Sequence, residues 1–133
     1  MYNHDLKEIG SKLATAQSLP QNTNAYGDEG SKEFHKTLGA VQVKVTCNEA
    51  ISIAATKKLE IEMYDSADDS TFAVVPGTKV TITDSTPSTY AADDVLARIG
   101  LPSSLRRYCK IRFLTDDASA SGKVDAWLDF LPH

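Results

Sequence analysis

A period of two constrains this chain more than any other feature of its sequence. Within 40–48, Val41, Val43, Val45 and Cys47 fall on one parity, and Gln42, Lys44 and Thr46 on the other. Leu59, Ile61 and Met63 alternate in the same way with Glu60, Glu62 and Tyr64. Strict alternation puts one face of an extended strand in a core and the other in water, whereas a helix needs apolar spacings of three and four. The longest alternating stretch is 105–131. On its first run Leu105, Arg107, Cys109, Ile111 and Phe113 share one side, opposite Arg106, Tyr108, Lys110 and Arg112. After the polar turn TDDASASGK, Val124, Ala126, Leu128 and Phe130 oppose Asp125, Trp127, Asp129 and Leu131. Two such runs around a Gly-containing turn predict an antiparallel β-hairpin.

Shorter extended segments fill the remainder. Ile51 and Ile53 mark a piece at 50–54, 71–75 is closed by Pro76 and Gly77, and Val80 with Ile82 points inward from 79–83. A short strand is expected at 24–26, weaker signals at 95–101 include Leu96 and Ile99, and 84–94, with Pro87, is expected to be a loop. About seven or eight short strands with turn signals between them predict an all-β fold, a single antiparallel β-sandwich spanning 21–133. Residues 1–20 differ. Leu6, Ile9, Leu13 and Ala16 are three and four apart and Pro20 ends the segment, so it is either an N-terminal arm or a short helix. Such a segment needs a surface to lie on, its own sandwich or a neighbouring chain, which makes Leu6, Ile9 and Leu13 candidate contact residues.

Size and charge narrow the function. A domain of 133 residues buries roughly two-thirds of its unfolded surface, and 41% hydrophobic with 24% charged residues is ordinary globular usage. Fourteen Lys and Arg against eighteen Asp and Glu leave a net charge of −4, so nucleic acid is not an expected partner. No stretch approaches the ~20 apolar residues of a membrane span, and no leader-like apolar run opens the chain, so a cytoplasmic protein is expected. Cys47 and Cys109 fall on apolar parities, as reduced core thiols would.

No catalytic set is visible. His4, His35 and His133 are the only histidines, two of them near the chain ends, and no nucleophile elbow, phosphate-binding Gly loop or zinc-ligand spacing accompanies them. The chain is therefore expected not to be an enzyme and to carry no cofactor and no metal. Asp65, Asp68 and Asp69 form an acidic loop, but the Gly and Glu that an EF-hand requires are missing, and a solvated turn with Asp and Ser capping backbone groups is expected. Asp116, Asp117 and Asp125 are expected to be surface carboxylates on a turn. Trp127, outward by parity, marks either a contact surface or a site covered by a loop or the N-terminal arm. Tyr64, Tyr108, Lys110 and Arg112 are outward too, and Tyr and Arg are favoured interface anchors.

The order of these pieces resembles a family of tailed-bacteriophage capsid cement, or head decoration, proteins. The matching segments are QSLPQNTNAYG, AVQVKVT, LEIEMYDSADDSTF, RIGLPSSLRRYCKIRF and SGKVDAWLDFL. The charged N-terminal start and the loop at 86–94 depart from the family pattern. The resemblance implies a jelly-roll sandwich and a structural virion protein, assembled in the host cytoplasm. It would sit on the capsid surface as a homo-oligomer, commonly a trimer, and bridge major capsid protein subunits. The alternative is a carbohydrate- or receptor-binding β-sandwich of a phage tail, in which Trp127, Tyr64 or Tyr90 stacks on a ligand.

Overall fold

The computed structural model describes residues 12–33, 41–102 and 106–130. Leu6, Ile9, the three histidines, Leu105 and Leu131 lie outside them, as does the side chain of Phe130. Among the described residues there are eleven strands and no helix: β1 (Lys12–Ser18), β2 (Asn24–Tyr26), β3 (Lys32–Glu33), β4 (Val41–Ile53), β5 (Lys58–Ser66), β6 (Ala73–Val74), β7 (Val80–Thr83), β8 (Ser88–Tyr90), β9 (Val95–Gly100), β10 (Tyr108–Thr115) and β11 (Ser121–Phe130). They form two antiparallel sheets, the layers of a β-sandwich.

In the first sheet the order is β1, β11, β4, with β8 and β9 end to end along the far side of β4. In the second, β10 and β5 are central, β2 and β3 share the outer side of β10, and β6 and β7 share the outer side of β5. The alternation predicts the core well. Val43, Val45, Cys47, Ile51, Ile53, Val124, Ala126 and Leu128 of the first sheet meet Leu59, Ile61, Met63, Cys109, Ile111 and Phe113 of the second, all of them buried.

Several expectations are corrected. The runs at 105–131 do not form a hairpin, because β10 pairs with β2, β3 and β5 while β11 pairs with β1 and β4. The 116–120 connection crosses from one sheet to the other, and parity is satisfied either way. Arg107 precedes β10 and is exposed rather than core-facing. The two pieces at 40–48 and 50–54 are one strand, β4, interrupted by a bulge where the register with β11 shifts around Lys123. Gly122 permits it: its φ is +115°, and a Cβ there would stand 2.6 Å from the Ala50 carbonyl oxygen. The 84–94 segment is not all loop, since β8 pairs with β4 through Ile51↔Tyr90. Of 71–75 only Ala73–Val74 pairs.

Of the arm or short helix expected in 1–20, only residues 12–20 are described, and they hold no helix. Lys12–Ser18 is β1, paired with β11 with two register shifts, and Ala16 takes a φ of 45° at the irregularity. Leu13 is wholly buried in the sandwich of its own chain. The outer edge of β1 is covered by the 27–29 segment: Glu29 N–H donates to the Leu13 carbonyl, and Thr15 N–H donates to Asp28 Oδ1 at 2.9 Å. Gln17 adds two bonds, from its Nε2 to the Tyr26 carbonyl and from Asp28 N–H to its Oε1. A covered edge offers no template for stray strand pairing.

Four inter-sheet crossings, β1 to β2, β4 to β5, β7 to β8 and β10 to β11, are bonded together at one end. Asp117 is their hub. It is 3% exposed. Its carboxylate accepts the Ala54 N–H at 2.8 Å and the Ser119 N–H at 2.9 Å, while its carbonyl accepts the Asn22 N–H. Asp116 Oδ1 accepts the Lys58 N–H, Thr115 Oγ1 donates to the Pro20 carbonyl, and Thr56 N–H donates to the Asp84 carbonyl. The expectation of surface turn carboxylates is thus wrong for Asp117, which ties three connections together. Asp125 is also engaged, accepting Ala16 N–H at 2.7 Å at the β1 irregularity and the Asn48 side-chain amide at 3.1 Å.

Candidate functional site

The outer face of the second sheet is the most developed surface. On β5 the outward parity carries Glu60, Glu62 and Tyr64, and on β10 it carries Tyr108, Lys110, Arg112 and Leu114. Register pairs Lys110 with Tyr64 and Arg112 with Glu62, and on the other side Arg112 with Tyr26 of β2. Tyr26 and Tyr64 meet edge to face, with ring centroids 5.6 Å apart at 89°. The Lys110 ammonium sits between two rings, 3.7 Å from the Tyr26 centroid and 4.1 Å from that of Phe72. Arg112 Nη1 donates to Glu62 Oε1 at 2.8 Å and to the Tyr64 hydroxyl at 3.2 Å, with the guanidinium 5.7 Å from the Tyr64 centroid. Tyr26 and Val74, which borders Tyr64, are 40% and 46% exposed.

These contacts hold the side chains of the face in fixed positions. Adjoining the aromatic group, Glu60 is nearly buried and salt-bridged to Lys58 at 3.0 Å and to Lys79 at 3.5 Å. Burial alone would raise the Glu60 carboxyl, but hydrogen bonding and charge from Lys58, with help from Lys79, outweigh it and hold it below its ordinary range. The buried carboxylates are thereby neutralised within the face. Among the described residues no carboxylate is bridged to Lys110.

Tyr64, Tyr108 and Arg112 therefore share one surface, as parity predicted. Trp127 does not join them. It lies on the outer side of the first sheet, and the two outer faces of a sandwich point apart. Trp127 is 7% exposed, so it is covered rather than presented, and the Lys44 ammonium stands 5.7 Å from its ring centroid. Beside it lies a cleft of about 200 Å³ lined by Lys12, Thr15, Asn48 and Asp125. Leu13 belongs to the core, and Tyr90 packs partly buried against that core. Tyr26 and Phe72 were missed by sequence reasoning. Only the pairing of β2 with β10 and the approach of the 71–72 turn bring them in, and nothing local signals either.

The carboxylates of the acidic loop bond to groups of the chain itself. Asp65 turns inward to Arg106, whose Nε and Nη2 reach Oδ1 at 3.1 and 2.9 Å while its backbone N–H donates to Oδ2 at 3.0 Å. Asp68 accepts the N–H groups of Ser70 and Thr71, and Asp69 accepts the Ser31 hydroxyl. Hydrogen bonding from the Thr71 amide first, then from the Ser66 hydroxyl and the Ser70 amide, lowers the Asp68 pKa. Among the described residues no three His, Cys, Asp or Glu side chains are grouped as metal ligands. Both cysteines are buried. Burial first and Asp65 second push the Cys109 thiol up to about 12, and burial with Asp94 pushes Cys47 up to about 11.

A scan of the chain against protein-family models finds no match, and neither does a search of curated proteins.

Proposed function

We propose that this chain is a jelly-roll capsid cement protein, a structural virion component that binds the outer surface of a phage head and ties neighbouring major capsid subunits together. The strand order supports the jelly-roll reading. Taking end-to-end partners together, the sandwich has eight positions in chain order, with the sheets running 1-8-3-6 and 2-7-4-5. Pairs 1-8, 2-7, 3-6 and 4-5 alternate between the sheets, as they do when one long eight-strand hairpin is wrapped into a sandwich. Viral capsid proteins and lectins both use this architecture, so the surface has to decide between them.

The aromatic and cationic face of the second sheet carries the functional reading. Its Tyr and Arg side chains are of the kind that anchor protein interfaces, and they are held by strands rather than loops. Weak contacts of this sort, repeated over an icosahedral shell, give avidity against internal pressure. The 40% exposed Tyr26 favours the alternative, a glycan-binding module, but Lys110 covers one face of its ring at 3.7 Å and Tyr64 meets it edge to face. The ring face that Lys110 occupies is closed to a stacking sugar.

Co-sedimentation of the purified chain with heads that lack it tests the proposal. Binding is expected, with the double variant Tyr26→Ala, Tyr64→Ala losing about thirtyfold in affinity at hot-spot magnitude while its fold is retained. A chain that stays in the supernatant and instead gives hits on a glycan array would refute it.

A further inference from the structure

We infer that Lys110 makes the aromatic and cationic face selective for an acidic element of its protein partner, by binding a partner carboxylate at its ammonium. This rests on the cement reading and deepens it by naming the chemistry that the docking face takes from the head. Lys110 is half-buried. Its ammonium has two rings beside it, at 3.7 and 4.1 Å, and among the described residues neither a hydrogen-bond acceptor nor a bridged carboxylate. Rings stabilise the charge through their quadrupoles but offer no lone pair to three N–H donors. In a chain of net charge −4, the missing counter-ion is not for want of carboxylates. Those nearest in the sheet and the adjoining turn are committed elsewhere. Glu62 is diagonal to Lys110 in the β5–β10 register and bonds Arg112, Asp65 bonds Arg106, and Asp68 accepts amides of its own turn.

The bracket around Lys110 is held from both sides. Tyr26 is fixed by the pairing of β2 with β10, opposite Arg112. Phe72 is fixed by the Asp68 turn: Asp68 Oδ1 accepts the Ser70 and Thr71 N–H groups, both at 3.0 Å, and the Ser66 hydroxyl at 2.8 Å, and Ala73 then pairs with Asp65. Asp69 of the same turn accepts the Ser31 hydroxyl, which ties the turn to the β2–β3 connection. Rings on two sides keep water from the ammonium there, so a carboxylate that meets its remaining side is attracted more strongly than by a lysine in open water. Tyr26 and Val74, both exposed, add apolar surface to the same face. An acidic residue flanked by apolar ones is the complement of such a face.

Two blocked tripeptides, Phe-Glu-Phe and Phe-Gln-Phe, test this against the purified chain, with the Lys110 side-chain signals followed by NMR. The Glu peptide is expected to bind about tenfold more tightly than the Gln peptide and to move the Lys110 signals most, and added salt to reduce the difference. Lys110→Met keeps most of the length of the side chain without its charge and should abolish the discrimination, while Lys110→Arg should retain it. Lys110→Gln replaces Lys110→Met should that variant not fold. Equal binding of the two peptides by the wild type, or acid selectivity that survives in Lys110→Met, would overturn the inference. Heads separate it from the cement reading. Lys110→Met is expected to lose about tenfold or more in head binding, and head binding that this variant leaves unchanged would overturn the inference alone. A chain that prefers the Glu peptide but ignores heads removes only the cement role.

Discussion

Replacing Asp117 with Ala removes the carboxylate that bonds the β4–β5 connection to the β10–β11 connection while leaving the Asn22 bond to the main-chain carbonyl in place, so its effect should be larger than that of an ordinary turn residue. The carboxylate receives the Ala54 and Ser119 amides and the Ser119 hydroxyl, all within 2.9 Å. Leaving two partly buried amides without an acceptor costs about 3 kcal/mol in all, at roughly 1–3 kcal/mol for each orphaned donor. That is a large share of a total near 5–15 kcal/mol. With a urea m-value of about 2 kcal/mol/M, the midpoint should fall by about 1.5 M. Asp117→Asn keeps one acceptor oxygen and turns an NH2 toward the other amide, so its loss should be intermediate at neutral pH. The acid limb carries an independent sign. Hydrogen bonds from Ala54 and then Ser119 hold the Asp117 carboxyl below its ordinary value of 3.8. A depressed native pKa means that the stabilisation is complete above the unfolded value and is lost as pH falls through the folded one. The gap between wild type and Asp117→Asn should therefore narrow only below about pH 4. Urea melts at pH 7 and across pH 2–5 read both effects. If Asp117→Ala moved the midpoint by less than about 0.3 M, the hub would carry no energetic weight.

Two further predictions concern the core and its closed edge. A Cβ on Gly27 would stand 2.1 Å from the Leu13 carbonyl oxygen and 2.7 Å from Ile111 Cγ2, so Gly27→Ala should destabilise by about 2–3 kcal/mol. Gly30→Ala meets open space and only a positive φ, and should lose about 1 kcal/mol; equal losses in urea melts would count against the steric account. Cys47 and Cys109 should resist a thiol reagent at pH 8 in the native chain and react at the rate of unfolding, because burial removes both access and thiolate. Labelling of either thiol at a free-cysteine rate in the folded protein would contradict their placement.

Alternation reveals which face of a strand is buried, but not which of two sheets the strand joins. That is why the inward set Cys109, Ile111, Phe113, Val124, Ala126 and Leu128 is correct while the hairpin drawn through it is not. A connection such as 116–120 can turn back within a sheet or cross the ~10 Å between two sheets, and local composition is the same in both cases. The capping role of Asp117 was hidden for the same reason: its partners Ala54 and Asn22 are distant in sequence. The arm or short helix read in 1–20 is tested only in part. Leu6 and Ile9 lie outside the described residues, and Ala16, placed on one stripe with Leu13, is exposed at the β1 irregularity, where Leu13, Ala14 and Gln17 are the buried residues. A bulge breaks a period of two, so alternation alone does not reveal such a strand. The candidate face divides along the same line. Tyr64, Lys110 and Arg112 were legible because parity alone turns them outward. Tyr26 and Phe72 became part of it only through β2 pairing and a turn closing over Lys110. Trp127 shows the converse: it is outward by parity yet 7% exposed, so outward parity does not guarantee exposure. A surface inferred from one strand's parity is therefore a lower bound on the site, and what completes it is set by long-range pairing.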